Sequence, residues 1–178
     1  MRKGIQVAAA AVLALMGCSC GQKARETYFS TTDGLVEFLF PAGWQRSDQE
    51  NPYDLQCSPR ERSLMTGIFL YRTSDLASDT TPQGLFQFQV DDIRSKRDHF
   101  GVLEPKTIAD VNGKRLTTAV YSGDKDMSEF HYRFMLIKFT DNPDILVIAI
   151  QTSIPSSWET DKPILEGITE SARIAGTE

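Results

Sequence analysis

The run Ile145-Leu146-Val147-Ile148-Ala149-Ile150 is the tightest constraint on what this chain can fold into. It has no polar side chain at either parity. As a strand it turns apolar groups to both faces, so both faces must be covered. Leu64–Thr73 has the same property, with Leu64, Thr66, Ile68 and Leu70 alternating against Met65, Gly67, Phe69 and Tyr71. Two such strands near the centre of a sheet require helices packed against it.

The remaining elements follow from period and punctuation. Leu35–Phe40 reads as a strand after the Asp33-Gly34 turn and ends at Pro41-Ala42-Gly43-Trp44, and Tyr53–Ser58 reads as a second. Then the period changes. Thr81 is a candidate N-cap, Pro82 suits the first helical position, and Leu85, Phe86, Val90, Ile93, Arg97 and Phe100 recur at helical spacing up to a C′ candidate, Gly101. Phe88 falls off that stripe. Lys106–Val111 and Lys114–Ser122 flank Asn112-Gly113, a strong signal for a type I′ hairpin, and Phe130–Phe139 and Ile145–Thr152 flank Asp141-Asn142-Pro143-Asp144. A last helix is expected from about Thr160 to Arg173, with Pro163 tolerable only in its first turn and Trp158 just ahead of it at the sheet's edge. The expected class is α+β: a single antiparallel sheet of about seven strands covered by helices.

The N-terminus carries an address. Arg2 and Lys3 precede an apolar run from Ile5 to Met16. That run is shorter than the ~20 residues a membrane span needs, and it has the plan of a secretory signal. Leu15-Met16-Gly17-Cys18 resembles the lipobox of bacterial lipoprotein signal peptides. The resemblance implies lipidation of Cys18, cleavage before it and acylation of the new N-terminus, so that the protein meets the membrane through covalent lipid. The alternative is an ordinary cleaved signal with Cys18 a bystander. Ser19 stands where inner-membrane lipoproteins typically carry Asp, which by analogy points to the periplasmic face of the outer membrane. The expected organisation is a signal peptide at 1–17, the lipidated Cys18 and a tether at 18–30, and one domain at 31–176. The polar leader from Ser19 to Arg25 spans at most about 25 Å when extended.

Removing residues 1–17 takes away two basic residues, so a formal net charge of −5 becomes about −7. Nucleic acid demands a basic footprint and is not an expected partner. Of three cysteines, Cys18 is assigned to lipid, leaving Cys20 and Cys57 as the sole candidate disulfide. The competing reading places Cys57 as a small core residue on a strand, and it is preferred because nothing fixes Cys20 in its leader.

Phe38-Leu39-Phe40-Pro41-Ala42-Gly43-Trp44, the helix from Thr81, the Asn112-Gly113 hairpin and the closing Ile145–Thr152 strand with its helix resemble the PsbP/DcrB-like group of sandwich proteins. The likeness spans roughly Asp33 to Ile174. It implies a protein that binds other envelope or photosynthetic components, without a catalytic motif, and no cofactor is expected from the residues.

Chemistry-bearing residues are few. His99 is expected at a helix C-terminus, complementing its dipole, and His131 on a sheet face. Gly-x-Ser-x-Gly, Cys-x-x-Cys and His-x-x-x-His do not occur. Asp124-Lys125-Asp126-Met127-Ser128-Glu129 echoes the start of a calcium loop but lacks its sixth-position Gly, so an acidic hairpin turn is expected. Arg60, Arg62 and Arg72 could gather at one end of the sheet. Partner contact is expected at Phe88, with Arg60 and Arg62 as further candidates. The function so indicated is a non-catalytic, lipid-anchored envelope protein that binds a protein partner or supports envelope assembly. The rival is a periplasmic carrier of a small ligand or lipid.

Overall fold

Along Ile145–Ser153, Val147 and Ala149 enter one buried cluster while Leu146, Ile148 and Ile150 enter a second on the opposite face. That division organises a computed structural model describing residues 25–48 and 50–176. In chain order the strands before the first helix are β1 (Thr27–Ser30), β2 (Val36–Phe40), β3 (Trp44–Arg46), β4 (Leu55–Pro59) and β5 (Met65–Arg72). Helix α1 (Pro82–Arg94) precedes β6 (Asp98–Val111), β7 (Lys114–Lys125), β8 (Ser128–Phe139) and β9 (Ile145–Ser153), and α2 (Trp158–Glu170) leads into β10 (Arg173–Ile174).

The main sheet is antiparallel throughout, in the order β3-β4-β5-β9-β8-β7-β6. The expected seven-stranded sheet is therefore present, with β9 at its centre. Strand β2 lies outside it, in a separate three-stranded sheet β1-β2-β10. Thr27–Ser30, expected within the tether, pair with β2 instead. One cluster joins the main sheet to α1 through Phe86, Val90 and Ile93, and the other joins it to α2 and the small sheet through Phe38, Phe40, Leu165 and Ile168. The molecule has three layers. Phe38–Trp44 is the crossing between sheets: Phe38, Phe40 and Trp44 are buried, and Gly43 turns the chain at φ +85°.

Local signals explain most boundaries. The Thr81 hydroxyl accepts from the Gly84 amide at 3.0 Å, and Pro82 opens α1. Asn112 and Gly113 take positive φ, +47° and +72°, as a type I′ turn requires. Asp126 and Met127 do the same between β7 and β8, so the acidic stretch is a hairpin turn. Among the described residues no group of acidic, His and Cys side chains is placed to hold a metal, and no helix is long and apolar enough to cross a membrane.

Two helix boundaries differ from expectation. Helix α1 stops at Arg94 with Ser95 as its C-cap, and the chain enters β6 at Asp98, where His99 adopts φ +48°. Phe100 still packs on the α1 side, its ring stacked on Tyr121 at 5.0 Å, but it does so from a strand. Gly101 lies in β6, and His99 meets Asp124 at 2.8 Å rather than a helix end. At the other end, Trp158 is the first residue of α2, which places Pro163 beyond the first turn. Arg173, expected in that helix, pairs in β10 with Glu37 of β2.

Beneath α2 the sheet face turns polar. Arg133 donates to Gln151 Oε1 at 2.6 Å and to the Thr169 hydroxyl at 3.1 Å, and burial lowers its pKa to about 10. Asp161, buried on α2, accepts from Ser153, Ser157 and the Arg62 guanidinium. Lys114 Nζ closes the C-terminal end of α2, donating to the carbonyls of Glu170 and Ala172 at 2.5 and 2.7 Å. His131 lies in this seam with its ring edge-on to Trp158.

Removing the Asp161 carboxylate strands two hydroxyls and a partly solvated arginine, so Asp161→Ala should cost about 2–3 kcal/mol by urea denaturation. Burial holds His131 below the ordinary histidine pKa, so its protonation favours the unfolded chain. Its contribution is full above about pH 6.5 and is lost as pH falls through the lower folded value. His99, raised by Asp124, acts with the opposite sign. In a His99→Gln background, His131→Phe should therefore flatten the loss of stability measured from about pH 7.5 to about pH 5.

Candidate functional site

The inward face of α1 leaves its flank to solvent, and Phe88 stands there 65% exposed. A hollow lies on either side of it. One, of about 440 Å³, is lined by Asp79, Thr80, Thr81, Gly84 and Leu85 at the start of the helix. The other is a groove of about 540 Å³ between the helix flank, the segment before β4, and strands β4, β5 and β9. Phe88 is the ridge between them.

The groove's floor is aromatic. Tyr53 and Phe69 pack with centroids 4.8 Å apart, and Ile150 continues the surface. The Tyr53 ring lies on the backbone of Gly67, where a Cβ would come within 2.5 Å of ring carbons. A glycine inside a strand otherwise costs stability, and this close approach is its physical reason. The wall is Phe88, Gln89 and Ile93, and the Gln89 amide donates to the Tyr71 hydroxyl at 2.8 Å.

The far end carries Asp92, Lys96 and Arg97. Lys96 pairs with Asp92 at 2.7 Å. Arg97 donates from Nε to the Tyr132 hydroxyl at 2.6 Å and from Nη1 to the Lys96 carbonyl at 2.7 Å, with its guanidinium 5.5 Å from the Tyr132 ring centre. Burial raises the pKa of both Tyr53 and Tyr132, and Arg97 opposes the rise at each. The groove thus offers an apolar platform ending in a cation.

Other expected site residues lie elsewhere. Arg62 is committed to Asp161 within the fold, whereas Arg60 is exposed in the turn between β4 and β5. Arg72 pairs with Asp33 at the other end of β5, roughly 30 Å along an extended chain from Arg62. The three arginines therefore do not gather. Cys57 is a free, fully buried thiol on β4 whose pKa burial pushes up to about 12. Cys18 and Cys20 lie outside the described residues.

His131 sits across the sheet from the groove, with Nε2 3.9 Å from Glu129 Oε1 and Nδ1 without a hydrogen-bond partner among the described residues. Ser153, opposite it in the sheet, is fully buried and donates to Asp161. Ser153 is therefore not an exposed nucleophile. Gly67 and Arg97 were the site residues hardest to see in sequence: one passes as a gap in an apolar strand, the other as part of a helical stripe. A glycine at mid-strand is the signal that points to a close approach.

No protein-family model and no curated protein matches the chain. Solved structures do. Cyanobacterial PsbP (CyanoP) from Synechocystis sp. PCC 6803 superposes with a TM-score of 0.64 at 19% identity, covering 90% of this chain and 98% of its own. LpqN, involved in cell envelope biogenesis of Mycobacterium tuberculosis, gives 0.60 at 12% identity, covering 84% of this chain and 90% of its own. The Saccharomyces cerevisiae Ran-binding protein Mog1p gives 0.57 at 13% identity, covering 85% and 96%. At these identities the likeness is one of architecture, and the chain has the PsbP-like α+β fold.

Proposed function

We propose that this protein is a lipid-anchored, non-catalytic binding module of the cell envelope, and that it holds a protein partner against the exposed flank of α1. The observation that carries the proposal is Phe88. The other aromatic side chains around it, Phe86, Tyr53 and Phe69, are buried or half-buried, yet this one stands in water on a regular helix. An exposed aromatic buries much area at little entropic cost when a partner covers it, which makes it a fitting anchor for an interface. Hollows on both sides give a partner's side chains somewhere to go.

The envelope location rests on the leader and on Cys18. Ser19 favours the periplasmic face of the outer membrane, and the acidic balance leaves attachment to the acyl chains. Support of a coarser kind comes from two proteins of the same fold, one described as involved in cell envelope biogenesis and one as Ran-binding. A second reading, a carrier of a small ligand, is favoured by the groove, whose 540 Å³ falls within the range of small-molecule sites.

Two measurements test the proposal. Mass spectrometry of the mature protein should find Cys18 at the N-terminus carrying acyl mass; a mature chain beginning elsewhere, or lacking that mass, removes the anchor. A photo-crosslinking residue at position 88 should give a discrete adduct with a second protein in intact cells, and one at exposed Ile108, on the opposite sheet edge, should not. Phe88→Ala should leave urea stability within about 0.5 kcal/mol, as expected of a surface site. Loss of the native fold in that variant, or equal labelling from both positions, would count against a docking role.

A further inference from the structure

We propose that the groove beside α1 binds a small organic anion, its apolar or aromatic body lying on Tyr53 and Phe69 and its charged end meeting Arg97. This names a ligand class for the carrier reading and rests on that reading, not on the anchor or the protein partner.

The charge at the end of the groove is the first observation. Lys96 is neutralised by Asp92, and Arg94, three residues before Arg97, by Asp91. Arg97 is different. Its two hydrogen bonds go to neutral oxygens, a phenol and a backbone carbonyl, and it forms no ion pair with a carboxylate among the described residues. A guanidinium has five N–H donors, so these contacts leave donors over. In a chain of net charge −5, a half-buried cation without a counter-charge at the mouth of an apolar groove is a place where an anion is favoured.

The floor is the second observation, and it is independent of the first. Gly67 lets Tyr53 lie flat on the sheet, which puts a ring face beside Phe69 at the base of the groove. A side chain at position 67 would lift that ring into the space. Flat aromatic faces receive planar apolar groups in offset or edge-on packing. The bonds from Arg97 to the Tyr132 hydroxyl and to the Lys96 carbonyl hold the guanidinium in place before any ligand arrives.

The test compares 2-naphthoate with 2-naphthamide, which share shape and ring system and differ in charge. Each is titrated calorimetrically into the full chain in lipid nanodiscs, with the heat from protein-free nanodiscs subtracted. Naphthoate should bind about tenfold more tightly than naphthamide, as expected when one hydrogen bond becomes charge-assisted. In Arg97→Gln the ratio should fall to near one while naphthamide affinity stays put. Equal affinities in the unmutated protein would overturn the anion inference and leave a carrier of neutral ligands standing. Binding of neither compound would sink both. A ratio that survives in Arg97→Gln would also overturn the role given to Arg97. The comparison in the unmutated protein needs no variant, so it decides the matter even if Arg97→Gln proves unstable.

Discussion

Burial of β9 on both faces is the condition that the other elements satisfy. A strand with Leu146, Ile148 and Ile150 on one side and Val147 and Ala149 on the other cannot be left against water on either side without exposing several large aliphatic groups. Its antiparallel neighbours β5 and β8 extend the same two surfaces, since Ile68, Met135 and Ile137 face one cluster and Phe134 and Leu136 the other. Helix α1 covers one surface. The second is too broad for one helix, and α2 shares it with the small sheet, whose central strand β2 contributes Val36, Phe38 and Phe40. The unequal covers have a functional consequence. The side closed by two elements leaves a hollow of about 280 Å³ past the end of α2, whereas the side closed by α1 leaves the longer groove of about 540 Å³ along the helix flank.

The α2 side also holds the costly polar groups. Arg133 is buried with Gln151 and Thr169 as partners and its Nε has none among the described residues. An apolar residue of similar volume would avoid that desolvation, so such groups are weak evidence for stability. What they do supply is register. Gln151 binds the Leu165 carbonyl and Thr66, Asp161 gathers Ser153, Ser157 and Arg62, and Lys114 takes the last carbonyls of the helix. Sliding α2 by one turn would break all three sets together. Apolar packing alone is far more tolerant of such a shift.

Which features were legible in the sequence depends on how far apart the interacting residues lie. The central strands, the Asn112-Gly113 turn and the start of α1 rest on local signals and stand where those signals put them. The small sheet does not, because β1 and β10 are only four and two residues long and take their identity from pairing with β2, β10 from the far end of the chain. Arg62 looked like a surface charge because its partner Asp161 is 99 residues away. The end of α1 is hidden in the sequence for a subtler reason. Phe100 falls at helical spacing and reaches the same cluster the helix reaches, so periodicity cannot tell a continued helix from a strand that returns to the same surface. Phe88 was legible because its anomaly is local: an aromatic off the apolar stripe needs no distant partner to be seen as exposed.

Phe88 on α1, Gly67 on β5 and Arg97 in the connection between α1 and β6 are each a local departure from what their setting prefers. A helix flank prefers polar residues, a strand interior avoids glycine, and a half-buried charge favours an opposite one beside it. Each departure costs its element something or leaves it less than satisfied. All three border the same open flank of α1. Independent compromises that converge on one surface are more economically explained by a shared occupant than by three unrelated accidents of packing.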